Sequence, residues 1–105
     1  MSGRFTVEFY NQDAAKEYQK LDGSVKKLVN VGLKKLESRA DEIGKPLEGP
    51  LRACKELKYR KHGIRLIFRV SGSVVELVEV IAIGQRSDGE VFRTAEKRLR
   101  TGSDT

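Results

Sequence analysis

Residue types that are typical of several protein classes are scarce in this 105-residue chain, which contains one cysteine, one histidine and two prolines. Cys54 has no partner for an intramolecular disulfide bond, which suits a reducing cytoplasm without proving that location. One cysteine and one histidine also cannot build a typical zinc site. No apolar run approaches the roughly 18 residues of a membrane-spanning helix, and charged residues occur throughout residues 1–20. We therefore expect neither a membrane segment nor a signal peptide.

Charge, by contrast, is abundant and unequal in sign. Lysine and arginine number 21 against 15 acidic residues, which gives a formal net charge of +6. This excess favours a polyanionic partner, with nucleic acid as the first candidate. The chain is 38% hydrophobic, enough for a folded core. Its length predicts one domain, residues 1–105, with residues 101–105 as a frayed tail.

The first half of the chain predicts one strand and two helices. Residues 4–10 alternate apolar and polar side chains, the period of a strand with one buried face. Asn11 can cap a short first helix, and Asp22 or Ser24 can cap a longer second one. Residues 45–53 are rich in proline and glycine and predict a surface loop. The apolar positions of the second helix are Val25, Leu28, Val29, Leu36, Ala40 and Ile43.

The opposite face of the second helix is basic. Such charge runs on amphipathic helices are ordinarily solvated surface, and contact with RNA or a partner protein is the alternative. The residues concerned are Lys26, Lys27, Lys34, Lys35 and Arg39.

The second half predicts three strands and a final helix. Residues 54–60 and 64–70 alternate in polarity on either side of a tight turn at His62 and Gly63, which is typical of a hairpin. Residues 74–84 are apolar on both faces, as expected of a central strand covered twice. The helix that follows has its apolar positions at Val91, Ala95 and Leu99.

The hairpin gathers positive charge on one face. Its register places Lys58, Arg60, Arg65 and Arg69 together. Like charges on neighbouring strands destabilise a sheet, so an anionic ligand would offset them. Arginine and lysine match phosphate oxygens, and this face therefore predicts binding to a nucleic-acid backbone. The alternative is neutralisation by surface glutamates, for which the candidates are Glu56, Glu76, Glu79 and Glu90.

Three segments resemble the RelE/ParE superfamily of type II toxin–antitoxin toxins, and the RelE branch in particular. They are "KELKYRKHGIRLIFRV" from residue 55, "AIGQR" from residue 82 and "EVFRTAEKRL" from residue 90. The resemblance covers nearly the whole chain. It implies a compact α+β fold with an N-terminal strand, two helices, a three-stranded antiparallel meander that completes a four-stranded sheet, and a C-terminal helix.

The same resemblance implies an activity. RelE-branch toxins are ribosome-dependent endoribonucleases that cut mRNA in the decoding site and halt translation. The chemistry needs no metal or other cofactor: the 2′-hydroxyl attacks the adjacent phosphorus and leaves a 2′,3′-cyclic phosphate and a 5′-hydroxyl. The implied partners are the ribosome, mRNA and a cognate antitoxin, and the implied location is the cytoplasm. The oligomeric state is left open.

Residue by residue, the resemblance assigns catalytic roles to three cations. Lys58 matches a lysine at the scissile phosphate, where neighbouring positive charge could lower its pKa toward use as a general base. Arg65 matches an arginine that clamps the phosphate. Arg86 matches one that stabilises charge developing beside the leaving oxygen. Contacts to RNA are expected from Arg60, His62, Arg69, Phe92 and Arg93.

Two positions depart from the family pattern. Glu56 stands where the RelE branch often has another lysine. Phe92 replaces a tyrosine, which keeps a ring for stacking on a base but removes the hydroxyl as a proton carrier. Glu56 could itself be the general base, because some relatives use a glutamate, and His62 is a second candidate.

Two other functions remain open. A ParE-like toxin would inhibit DNA gyrase without cutting RNA, and a non-catalytic relative would only bind RNA. In the toxin cases, we expect the antitoxin to lay an acidic helical segment across the basic sheet face or to displace the C-terminal helix.

Overall fold

The computed structural model of the protein describes residues 4–71 and 76–101. These residues form an α+β fold, as predicted, with a mixed sheet and helices on both of its faces. The elements are β1 (Thr6–Phe9), α1 (Gln12–Gln19), α2 (Gly23–Arg39), β2 (Lys45–Pro46), β3 (Lys55–Tyr59), β4 (Ile64–Ser71), β5 (Leu77–Gln85) and α3 (Glu90–Thr101). Most of the turn predicted after β4, and residues 102–105 of the predicted tail, lie outside the described residues.

The sheet has five strands in the order β1-β5-β4-β3-β2, one more than predicted. β1 pairs with β5 in parallel, and the other neighbours are antiparallel. The additional strand, β2, lies within the segment predicted to be a loop and has only two residues. Lys45 of β2 pairs with Glu56 of β3. A two-residue edge strand that ends in proline leaves no period for a sequence pattern to detect.

The structure confirms Asn11 as the cap of α1 and selects Asp22 from the two candidates for α2. The Asn11 side chain accepts a hydrogen bond from the Ala14 amide at 2.9 Å, and Asp22 accepts one from the Ser24 amide at 3.0 Å. These bonds satisfy backbone donors that have no partner within the first helical turn. The predicted apolar stripe of α2 needs two corrections. Leu28 is 45% exposed, and Ile43 lies beyond the end of the helix at Arg39.

Two apolar layers enclose the sheet. On one face, Val29 and Leu36 of α2 pack against Leu66 and Phe68 of β4. On the other face, a smaller cluster joins residues of α3 to the sheet and contains Cys54, Ile67, Ile81, Val91 and Ala95. β4 and β5 are therefore covered on both sides, as the apolar sequence of β5 predicted.

Among the helices of residues 4–71 and 76–101, none combines the length and the apolarity needed to cross a lipid bilayer.

Candidate active site

A cationic cleft of about 440 Å³ opens where the turn between β3 and β4 meets the end of β5. Lys58 lies directly opposite Arg65 across β3 and β4, and Arg65 lies opposite Gly84 across β4 and β5. The Arg86 amide donates a hydrogen bond to the Gly63 carbonyl at 2.8 Å, which ties the residue after β5 to the turn. The residues that line the cationic cleft are Lys58, Arg60, Gly63, Arg65 and Arg86.

Arg65 is the most buried of these cations, with only 7% of the residue exposed. Its Nε atom lies 3.2 Å from Oε1 of Glu56, which is 6% exposed. The Nη1 atom of Arg65 donates to the Ile64 carbonyl at 3.2 Å. The contact with Glu56 is an ion pair without hydrogen-bond geometry. Together these contacts place the guanidinium group at the wall of the cleft. Glu56 therefore lies behind Arg65, in a buried ion pair.

Arg69 does not belong to the cationic cleft, contrary to the four-cation face predicted from the hairpin register. Its Nε atom lies 2.7 Å from Oε1 of Glu79, and its guanidinium group lies 5.7 Å from the centre of the Tyr10 ring. The register shift at Ile67 and Phe68 places its extra residue, Ile81, in β5, so β4 keeps its alternation. Arg69 therefore shares a face with Arg65 but lies about 13 Å further along the strand. The predicted neutralisation by glutamates thus applies to two cations, to Arg69 through Glu79 and to Arg65 through Glu56.

Lys58 is half-buried at the edge of the cleft, and its surroundings change its acidity. Partial burial lowers the pKa of Lys58 below its usual value, and the positive charges of Lys45 and Arg60 lower it further, while Glu56 opposes them. A lysine with a lowered pKa is more often neutral and can accept a proton. Lys45 is not predicted from the sequence, because the prolines and glycine of residues 45–53 indicate a loop.

Besides Arg69, three predicted RNA contacts lie outside the cationic cleft. His62 lines a separate hollow of about 320 Å³ with Asp22 and Val25, on the side of the sheet that α2 covers. Phe92 is half-buried and packs against the α3-side core. Arg93 is exposed and donates to the Asp88 carbonyl. The structure therefore does not bring His62 to the cations of the cleft, and it gives the Phe92 ring a packing role.

An ion pair that the sequence analysis missed holds α3 against the sheet. Nη2 of Arg98 lies 2.7 Å from Oε2 of Glu17, and Nη1 of Arg98 donates to the Ile81 carbonyl at 2.9 Å. Oε1 of Glu17 accepts from the Ile83 amide at 3.0 Å. The pair thus satisfies backbone groups of β5 beyond the point where β1 ends. No local pattern signals it, because its partners are 81 residues apart.

Within the described residues, no group of three or more histidine, cysteine or acidic side chains is arranged to hold a metal ion. The chemistry that the cleft offers is that of its cations. Fixed guanidinium groups can bind phosphate oxygens and stabilise added negative charge, and a lysine with a lowered pKa can accept a proton.

Comparison with known proteins gives a consistent set of relatives, although no family model matches the chain. The chain is 32% identical over 97 residues to a RelE-like toxin protein of Escherichia coli, covering 92% of this chain and 99% of that protein. It is 38% identical over 95 residues to the mRNA interferase toxin RelE of Escherichia coli, covering 86% of this chain and 93% of that protein.

Solved structures agree with these sequence relatives. A free E. coli RelE toxin with two arginines replaced by alanine superimposes with a TM-score of 0.73 at 27% identity, covering 94% of this chain and 99% of the other. The same toxin variant in complex with a peptide of the antitoxin RelB superimposes with a TM-score of 0.65 at 31% identity, covering 88% and 94%.

Proposed function

The chain belongs to the RelE family of type II toxin–antitoxin toxins, and from this premise we propose that it is a ribosome-dependent endoribonuclease that cleaves mRNA and inhibits translation. The observation that carries the proposal is the convergence of Lys58, Arg65 and Arg86 in one cleft without a lining carboxylate. A relative at 38% identity is named an mRNA interferase, which supports the same activity. Its target would place the protein in the cytoplasm.

In the proposed reaction, Arg65 binds a non-bridging oxygen of the scissile phosphate. Lys58 in its neutral form accepts the proton of the 2′-hydroxyl, and the 2′-oxygen forms a bond to phosphorus as the bond to the 5′-oxygen breaks. Arg86 lies in the open part of the cleft and stabilises the charge that develops on phosphorus and the leaving oxygen. The products are a 2′,3′-cyclic phosphate and a 5′-hydroxyl.

The leaving 5′-oxygen also requires a proton. Phe92 has no hydroxyl to supply it, and its ring packs against the core. Because the cationic cleft is open to solvent, we assign this step to a water molecule. No cofactor takes part in the proposed reaction.

Glu56 has a different role in this proposal from the general base considered above. Its carboxylate lies in a buried ion pair with Nε of Arg65, where a substrate hydroxyl would have to displace the guanidinium group to reach it. We therefore assign the base to Lys58, and Glu56 is a positioning residue that keeps the guanidinium group of Arg65 at the wall of the cleft.

The proposed partner is a cognate antitoxin, as in the solved complex of the E. coli toxin with its antitoxin peptide. Inhibition of gyrase by a ParE-like mechanism is not favoured, because it gives no role to a cleft built from three catalytic cations.

Primer extension on a defined mRNA in a purified translation system tests the proposal. We expect cuts that require ribosomes with the wild-type protein and a loss of about 10²- to 10³-fold in rate with Arg86→Ala, the range for removal of one charge-stabilising donor. Arg52→Ala is the matched control, because Arg52 is exposed and lies outside the cleft. Intact mRNA in the presence of folded wild-type protein would contradict the proposal.

A further inference from the structure

The pair of Glu17 and Arg98 takes over where β1 ends beside the longer β5. β1 pairs with β5 only as far as Val80. Just beyond, Nη1 of Arg98 donates to the Ile81 carbonyl at 2.9 Å. Oε1 of Glu17 then accepts from the Ile83 amide at 3.0 Å. The two side chains thus provide β5 with hydrogen bonds that β1 no longer supplies.

The same part of β5 contains the bulge, which determines the side of the sheet on which the following residues lie. Ile81 and Ala82 are consecutive, yet both belong to the α3-side core. The alternation of β5 therefore shifts by one residue, and Gly84 lies opposite Arg65 on the side of the cleft. Unbroken alternation would place positions 84 and 86 on the α2 side. Bulges beside active sites commonly redirect a side chain, and here that side chain is Arg86.

Arg86 is close to this bulged segment, residues 81–83. It follows the segment by three residues, and its amide donates to the Gly63 carbonyl at 2.8 Å. α3 lies close over the intervening backbone, since a Cβ at Gly84 would be 3.6 Å from Val91. A displacement of the bulged segment would therefore move Arg86 relative to the scissile phosphate. A misplacement of about 1 Å can reduce a rate by about 100-fold.

We propose that Glu17 and Arg98 are positioning residues for mRNA cleavage, which hold the bulged segment so that Arg86 lies in the cationic cleft. The inference rests on the proposed function in taking Arg86 as the group that stabilises the developing charge. An ion pair that only docked α3 would need no bond to the β5 backbone. Both members make such a bond, and their side chains are only 28% and 14% exposed, which limits competition by water.

The kinetics of Glu17→Met on ribosome-bound mRNA test the inference, because methionine keeps the bulk of the side chain and removes the acceptor for the Ile83 amide. We expect kcat to fall about ten- to hundredfold and KM to change less than about twofold, since Arg86 is proposed to act in the transition state. Glu17→Gln keeps an acceptor oxygen and should restore kcat to near the wild-type value. The matched control is Glu96→Met, which removes a pair with Arg100 within α3 and should leave kcat unchanged.

Two further variants separate positioning from a general loss of stability. In an Arg86→Ala background, Glu17→Met should have no further effect on kcat, because the residue through which it acts is gone. Glu17→Met/Arg98→Met replaces both charges by apolar side chains and should have a Tm closer to the wild type than Glu17→Met alone. Its kcat should nevertheless stay as low as that of Glu17→Met, because the backbone groups of the bulged segment still lack their partners.

Wild-type kcat for Glu17→Met would overturn the inference. So would an undiminished effect of Glu17→Met in the Arg86→Ala background, or a kcat that recovers together with Tm in the double variant.

Hydrogen exchange at the Arg86 amide gives an answer that does not depend on cleavage. Glu17→Met should speed exchange at this amide, whereas Glu96→Met should not. Unchanged exchange would overturn the inference. If the wild-type protein cuts no mRNA while exchange responds as expected, the result would support the positioning of Arg86 by the pair and refute the proposed function.

Discussion

Replacing Glu56 by glutamine should separate its role as a positioning residue from that of a general base. The substitution keeps the shape of the side chain and removes the charge that faces Arg65. At the observed 3.2 Å, and with an effective dielectric constant of about 20, the attraction in the pair is about 5 kcal/mol. Desolvation offsets most of this gain while both partners are present, but loss of one partner leaves a buried charge unpaired.

The expected cost of Glu56→Gln is therefore about 3 kcal/mol in the free energy of unfolding, the lower end of the range for broken buried pairs. A loss of this size lowers Tm by more than about 10 °C in a domain of this length. The double variant Glu56→Leu/Arg65→Met replaces both charges by apolar groups and should recover most of the stability. Thermal and urea unfolding followed by circular dichroism measure both effects.

Glu56→Gln should also change the rate of mRNA cleavage and its dependence on pH. With Arg65 no longer held, cleavage by Glu56→Gln should fall about ten- to hundredfold. The pH at which the rate is half-maximal should move lower, because the substitution removes a negative charge that raises the pKa of Lys58. The reasoning would be refuted if Glu56→Gln cost less than about 1 kcal/mol, or if the variant lost a titration from the pH–rate profile. The second result would restore Glu56 as the general base.

Three further predictions concern other parts of the molecule. Gly32→Ala should destabilise the fold despite the better helix propensity of alanine, because a Cβ there would meet the Tyr59 hydroxyl; urea unfolding should show that Tyr59→Phe in the same chain reverses the loss. The cleavage rate should rise with pH as Lys58 loses its proton, with a midpoint below the ordinary lysine pKa of about 10.4. Lys45→Gln should move that midpoint to higher pH, because it removes a positive charge that lowers the pKa of Lys58. Burial raises the pKa of the Cys54 thiol, so a disulfide reagent at neutral pH should label Cys54 only in denaturant.

Local signals explain why much of the fold could be predicted from the sequence. The alternation in residues 4–10 and the capping side chains Asn11 and Asp22 act over a few residues, and the structure confirms them. The hairpin turn at Gly63 fixed the register that sets Lys58 opposite Arg65. The placement of Lys58 and Arg65 in the candidate site therefore follows from the alternation of polar and apolar residues and from one turn.

The remainder depends on contacts that no local pattern contains. Alternation assigned Glu56 and Arg65 to one face but did not show that this part of the face is buried, and burial changes Glu56 from a base candidate to the partner of Arg65. Arg69 lies four residues along β4 from Arg65 and pairs with the Glu79 carboxylate, which keeps it out of the cleft. Leu28 fits the apolar period of α2, yet the helix leaves it at the rim of a groove.

The most direct test of the central claim is cleavage of ribosome-bound mRNA that carries a single 2′-deoxynucleotide at the cut position. If the cationic cleft works through attack of the 2′-hydroxyl, the wild-type protein should leave this mRNA intact at that position and cut the all-ribose mRNA to a 2′,3′-cyclic phosphate. Cleavage of the 2′-deoxy position at the ordinary rate would contradict the account, because the bond would then break without the nucleophile that Lys58 is proposed to activate.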